Sequence, residues 1–115
     1  MTIRDLIMSD RFEILNEGND PDRELTVPYC CDLLSIAMGN APAGCAWCTV
    51  MGNMNTLAVA SLTEAGCVIL CGSVSAEETM ILKAKTEGIP LFRTEQPIFE
   101  TALWVYEKIN EAPEL

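Results

Sequence analysis

Histidine is absent from the chain. That removes the commonest general base and the commonest metal ligand, and with them any Ser/His/Asp or Cys/His mechanism. Cations are scarce: seven Lys and Arg stand against seventeen Asp and Glu, a net charge of -10. With no basic cluster to offset it locally, such a chain repels a phosphate backbone, which argues against nucleic acid and anionic membrane surfaces as partners. Long hydrophobic runs are missing too, the longest being of the type at 67–71, far too short to span a bilayer. Residues 1–10 carry Arg4, Asp5 and Asp10 and hold no long apolar core, so they do not read as a secretory signal and a cytoplasmic location is expected. Low-complexity segments are absent.

What is present is an apolar fraction of 50% in 115 residues, with a mean hydropathy of +0.22. The length fits one domain, 1–115, with one core. The apolar excess is high for so small a chain and implies that some apolar surface lies in an interface, with a homo-oligomer, a dimer, as the expected form. Six cysteines without an export signal read as reduced thiols rather than a disulfide framework.

From Cys45 onward the chain falls into three units of roughly 22 residues, each an apolar run, a small or polar turn and an amphipathic stretch, which is the βα pattern. The runs are 45–51, 67–71 and 89–93; the turns are 52–56, 72–75 and 94–97; the helices are 55–65, 76–87 and 98–110. Gly66 and Gly88 stand where a helix end favours positive φ. Ser75 with Glu78 fits a capping box, and Thr94 ahead of Pro97 marks the last helix start. That helix repeats Ile98, Ala102, Val105 and Ile109, widened by Phe99, Leu103 and Tyr106 into a broad apolar face. Before Cys45 the reading is a helix at 2–8, a strand at 12–15, a turn-rich loop at 16–22, a strand at 24–27, a helix at 31–38 and a loop at 39–44. The tail, 111–115, is expected to fray. Strands joined through helices run parallel, so the fold class is α/β: a layered sheet with helices on its faces.

Gly52, Asn53, Asn55 and Thr56 form a turn that ends a strand and opens a helix, and so suit an anion at the positive end of the helix dipole. The simpler reading is that Asn and Thr cap the helix. Gly72, Ser73, Ser75 and Thr94 occupy the corresponding turns of the next two units. All eight residues are expected beyond the carboxyl ends of parallel strands, where open α/β folds bind ligands. Cys45 and Cys48 have CxxC spacing, but on a strand residues three apart face opposite sides, which argues against a shared metal or a redox pair. Cys67 and Cys71 share a face about 13 Å apart, too far for a disulfide. Cys30 and Cys31, near a helix start and beside Asp32, are the thiols with the best case for reactivity, with burial as the commoner fate. The dispersed acids Glu77, Glu78, Glu87, Glu95, Glu100, Glu107 and Glu111 suggest solvated helix faces rather than paired-carboxylate catalysis. Met51, Met54 and Met80 read as core filler before they read as an adaptable surface.

The segments Asp32-Leu33-Leu34-Ser35, Thr49 through Ala60, Gly66 through Gly72, Glu77-Glu78 and Gly88 through Thr94 together resemble the DRTGG domain family. The resemblance covers nearly the whole chain. The motif that names the family falls on Gly52-Asn53-Met54-Asn55-Thr56, where Asn53 and Met54 replace the usual aspartate and arginine. The family is similar to the N-terminal domain of HPr kinase/phosphorylase and the corresponding domain of Mur ligases, which implies that the N-terminal strands complete a mixed, mostly parallel sheet. Its members also occur beside CBS domains and ahead of phosphotransacetylase domains, which implies a regulatory role without catalysis.

The function expected is a non-catalytic module that senses a small metabolite or nucleotide at the βα turns and acts on a partner protein, with no cofactor and no metal. The alternatives are a protein-interaction module without a ligand and a thiol-based redox or metal protein.

Overall fold

In a computed structural model the chain is described over residues 1–111 of 115. The elements in order are α1 (Ile3–Met8), β1 (Glu13–Asn16), β2 (Pro28–Cys30), α2 (Leu34–Asn40), β3 (Ala46–Thr49), α3 (Met54–Thr63), β4 (Cys67–Leu70), α4 (Glu78–Glu87), β5 (Leu91–Arg93) and α5 (Ile98–Ile109). Apolar residues at β3 and β4 are buried on both faces, and this continuous run is what a central parallel strand requires. The sheet has five strands in the order β1-β5-β4-β3-β2. β2 to β5 are mutually parallel, and β1 joins β5 antiparallel with a register shift between Ile14 and Asn16. The mixed, mostly parallel α/β sheet is therefore as expected.

The two-residue period sorts the core into two layers. Cys45, Trp47, Val68, Leu70 and Leu91 face Ala37 of α2, Leu57 and Ala60 of α3, and Met80 and Ala84 of α4. Ala46, Cys48, Cys67, Ile69 and Phe92 face Ile3 and Leu6 of α1 and Val105 of α5. The βα crossovers thus lie on one face, while α1 and α5 cover the other. Trp47 is fully buried and its indole N–H donates to the Cys31 carbonyl at 2.8 Å, so burying the ring leaves no orphaned donor. Among the described residues no buried side-chain N or O lacks a partner. None of the helices described is long and apolar enough to cross a membrane.

Several local expectations need correction. The strand placed at 24–27 begins instead at Pro28, paired with Ala46; Glu24 makes only an isolated antiparallel bridge with Thr2, and the next amides bond outside the sheet, Leu25 N–H to Met1 O and Thr26 N–H to Gly44 O. Proline opening an edge strand costs no ladder bond. The helix placed at 31–38 spans Leu34–Asn40, taking Gly39 from the expected loop and leaving Cys31 and Asp32 ahead of it. α3 ends on Glu64, whose φ of 58° is left-handed. Gly66 serves closeness instead, since a Cβ there meets Gly44 O at 2.7 Å and Leu25 Cδ2 at 2.7 Å. Gly88 does carry the left-handed cap, with φ of 69°. The Ser75–Glu78 capping box does not form: α4 starts after Glu77, whose own N–H bonds to Gly52 O at 3.0 Å. A capping box does form at Thr2 and Asp5, opening α1. Phe99, Leu103 and Tyr106 widen the α5 stripe in sequence but stand in solvent at 69%, 42% and 54% exposure. Of the tail, 111–115, residues 112–115 lie outside the described residues.

Candidate functional site

Parallel pairing of β3, β4 and β5 places their following turns side by side at the carboxyl edge of the sheet. These turns are bonded into one continuous rim. Glu77 N–H reaches back to Gly52 O at 3.0 Å, Gly72 N–H donates to Gln96 O at 2.8 Å, and Ser73 N–H donates to Thr94 O at 3.1 Å. Gly72 and Ser73 both take left-handed φ, 72° and 65°, which folds the β4 turn toward β5. The Gly72 and Ser73 amides are thereby committed to the neighbouring turn.

The remaining expected residues divide by role. Asn53 caps α3, its Oδ1 accepting from Asn55 N–H at 3.0 Å. The Thr56 hydroxyl is buried and donates to Met51 O at 2.8 Å. Asn55 and Ser75 are exposed on the rim. Thr94 is buried at the end of β5, and its Oγ1 accepts from Gln96 N–H at 3.1 Å.

Three residues that matter here carry no local sequence signal. Asp32 reaches from the β2–α2 connection to the end of β3, where one carboxylate oxygen accepts from the Thr49 hydroxyl at 2.7 Å and Val50 N–H at 3.0 Å. Arg93 ties three segments together: Nε donates to Val74 O at 2.8 Å, Nη2 to Ser73 O at 2.9 Å and Nη1 to the Glu13 carboxylate at 3.0 Å. Arg11 stacks on the Trp104 ring at 4.7 Å from its centroid and has no ion pair among the described residues.

Arg11, Glu13, Arg93, Thr94, Glu95 and Gln96 line an open cavity of about 370 Å³ at this edge, at the lower end of the size that holds small ligands. Of the eight expected residues, only Thr94 lines it. A second cavity, about 270 Å³, lies at the opposite edge between Arg23, Glu64 and the 87–90 segment.

The thiols follow the strand geometry. Cys45 and Cys48 belong to opposite layers, as the spacing implied, and burial pushes the Cys45 thiol up to about 11. Cys67 and Cys71 share a layer. Burial proves the wrong expectation for Cys30, which is exposed on the edge strand, while Cys31 is partly buried; neither sits in a helix N-terminus, because α2 opens only at Leu34. Among the described residues no group of three or more Cys, Asp or Glu side chains is placed to hold a metal ion.

The same fold occurs in a regulatory region. The chain superposes on part of a structure of the CBS and DRTGG domains of the regulatory region of Clostridium perfringens pyrophosphatase, complexed with activator, diadenosine tetraphosphate, with a TM-score of 0.63 and 13% sequence identity. The match covers 93% of this chain and 45% of that one, so this chain spans less than half of its structural neighbour. No protein-family model matches the sequence, and no curated protein matches it.

Proposed function

We propose that this chain is a non-catalytic regulatory module that takes a phosphorylated small molecule, foremost an adenine nucleotide, at the carboxyl edge of its sheet and relays occupancy to a partner protein. The observation that carries this reading is the cavity lined by Arg11, Glu13, Arg93, Thr94, Glu95 and Gln96. It places Arg11, which has no ion pair among the described residues, beside the turn that ends β5 and next to Arg93, which Glu13 already pairs; arginine matches phosphate oxygens in charge and geometry. Asn53, Asn55 and Ser75 extend the polar rim toward β3, while Gly52, Thr56, Gly72 and Ser73 hold the turns in shape. The pyrophosphatase region that shares the fold binds a dinucleoside polyphosphate, which supports the choice of ligand class.

Thermal unfolding with AMP, ATP and diadenosine tetraphosphate tests it. At about 100 times the dissociation constant, a ligand adds roughly 2.7 kcal/mol and raises the midpoint on the order of 10 °C. The Arg11→Ala variant, whose unliganded midpoint falls by the loss of the Trp104 stack, is expected to show no ligand-induced shift from its own baseline. No shift with any of the three overturns the ligand reading.

A second reading, an interaction module without ligand, is favoured by one specific observation. Phe99, Leu103 and Tyr106 line the outer face of α5 in solvent, at the three- and four-residue spacing of a docking stripe. It predicts self-association or partner capture that Phe99→Ser with Leu103→Ser abolishes, with no dependence on Arg11.

A further inference from the structure

We propose that Cys30 and Cys48 form a reversible redox pair, in which a hydroperoxide oxidises Cys30 and Cys48 then closes an intramolecular disulfide between β2 and β3. This does not depend on the ligand reading. The placement is set by register: Cys30 and Cys48 are direct partners in the parallel β2–β3 pair. Neighbouring strands run about 4.8 Å apart, inside the Cα separation of roughly 4.4–6.8 Å that a disulfide spans. As register partners of adjacent strands, the two residues carry their thiols on the same side of the sheet. Cys48 in turn meets Cys71 of the next strand's end, so three thiols line up across β2, β3 and the end of β4 beneath α5.

The two members are chemically unlike. Cys30 is exposed on an edge strand, and Cys48 is fully buried. The adjacent Cys48 thiol lowers the Cys30 thiol to about 7, against partial burial and the Asp32 carboxylate, which both oppose ionisation. The neighbouring Cys30 and Cys71 thiols, with burial, hold Cys48 protonated, and its S–H points to Ala46 O at 3.8 Å. An accessible thiolate beside a protected thiol is the arrangement of an attacking and a resolving cysteine. Cys31 cannot replace Cys48, because it packs with the opposite layer and its thiol turns to Leu33 O at 3.3 Å.

In the first step the Cys30 thiolate attacks the peroxide; the S–O bond forms, the O–O bond breaks, and hydroxide departs. In the second the Cys48 sulfur attacks the Cys30 sulfenic acid. The S–S bond forms, the S–O bond breaks, and the leaving hydroxide takes the Cys48 proton as water. Two thiols and one hydroperoxide give one disulfide and two waters, or a water and an alcohol for an organic peroxide; a dithiol reductant reverses it.

The test treats the folded, reduced protein with hydrogen peroxide, alkylates what remains free, and digests after aromatic and leucine residues, which separates Cys30 from Cys48. The expected result is a mass loss of about 2 Da and a Cys30–Cys48 linked peptide that a dithiol removes. Cys30→Ser, an exposed substitution, is expected to abolish the link and leave Cys48 reduced. Cys48→Ala, if it folds, is expected to accumulate the Cys30 sulfenic acid, trapped by a dione probe. A Cys30–Cys31 link, a Cys30–Cys30 link between two chains, or six free thiols after treatment that oxidises exposed methionine would each overturn the proposal.

Discussion

The rim of the sheet depends on the β3 turn lying flat against the β4 turn, and Gly52→Ala probes that contact. A Cβ at Gly52 runs into the Ser75 carbonyl oxygen, and stands 3.1 Å from Val74 Cγ1 and 3.3 Å from the Ser75 carbonyl carbon. Two of these atoms are backbone, so no rotamer change relieves them. Forcing the turns apart costs about 1–3 kcal/mol as overpacking. Loss of the Glu77 N–H to Gly52 O bond adds about 1 kcal/mol, and alanine's stiffer unfolded chain returns about 0.4–1 kcal/mol. The net destabilisation is roughly 1–3 kcal/mol, a fall on the order of 10 °C in midpoint. Gly39→Ala is the matched control: it lies within α2 and a Cβ there meets nothing within 4 Å, so it is expected to stabilise by about 0.5–1 kcal/mol. Thermal unfolding followed by far-ultraviolet circular dichroism reads both. A Gly52→Ala midpoint at or above that of the parent refutes the packing of the two turns.

Other consequences follow from single contacts. Asp32→Ala removes the acceptor of the fully buried Thr49 hydroxyl and is expected to cost about 1–3 kcal/mol; in denaturant titrations with Thr49→Val the double variant should lose less than the sum, and strict additivity would count against the bond. The Cys30 thiol, lowered from an ordinary 9.0 to about 7, is expected to alkylate with a midpoint near 7, rising toward its ordinary value in Cys48→Ala. Ionisation of Cys30 favours the folded state, so its contribution is absent below about 7, grows between 7 and 9, and is complete above 9. The midpoint difference between the parent and Cys30→Ser should therefore be larger at pH 9 than at pH 6, and an equal difference would remove the thiolate argument.

The parallel core was legible because each βα unit carries its own signals: the buried run at β4, the Asn53 cap and the Gly88 left-handed cap are all local. What was not legible depends on distant partners. Ser75 and Glu78 satisfy the capping-box spacing, yet Glu77 N–H finds Gly52 O, and that tertiary bond sets where α4 begins. Residues 24–26 look like a strand, but their amides are taken by Met1 and Gly44, and pairing waits for Pro28. Asp32, Arg11 and Arg93 were invisible as site residues because nothing beside them in sequence announces a role. Arg93 becomes a tie only when the 73–74 turn and β1 flank it. Cys30 and Cys48 stand eighteen positions apart and meet only through the β2–β3 register.

A titration of uniformly labelled protein with ATP, followed by amide chemical shifts, tests the placement of the ligand most directly. The expected result is a set of saturable shifts at Gly52, Asn53, Ser73, Thr94 and Gln96 that Arg11→Ala abolishes. Shifts confined to residues 60–65 and 87–90, at the opposite cavity, or no shifts at millimolar nucleotide, would contradict a ligand site at the carboxyl edge of the sheet.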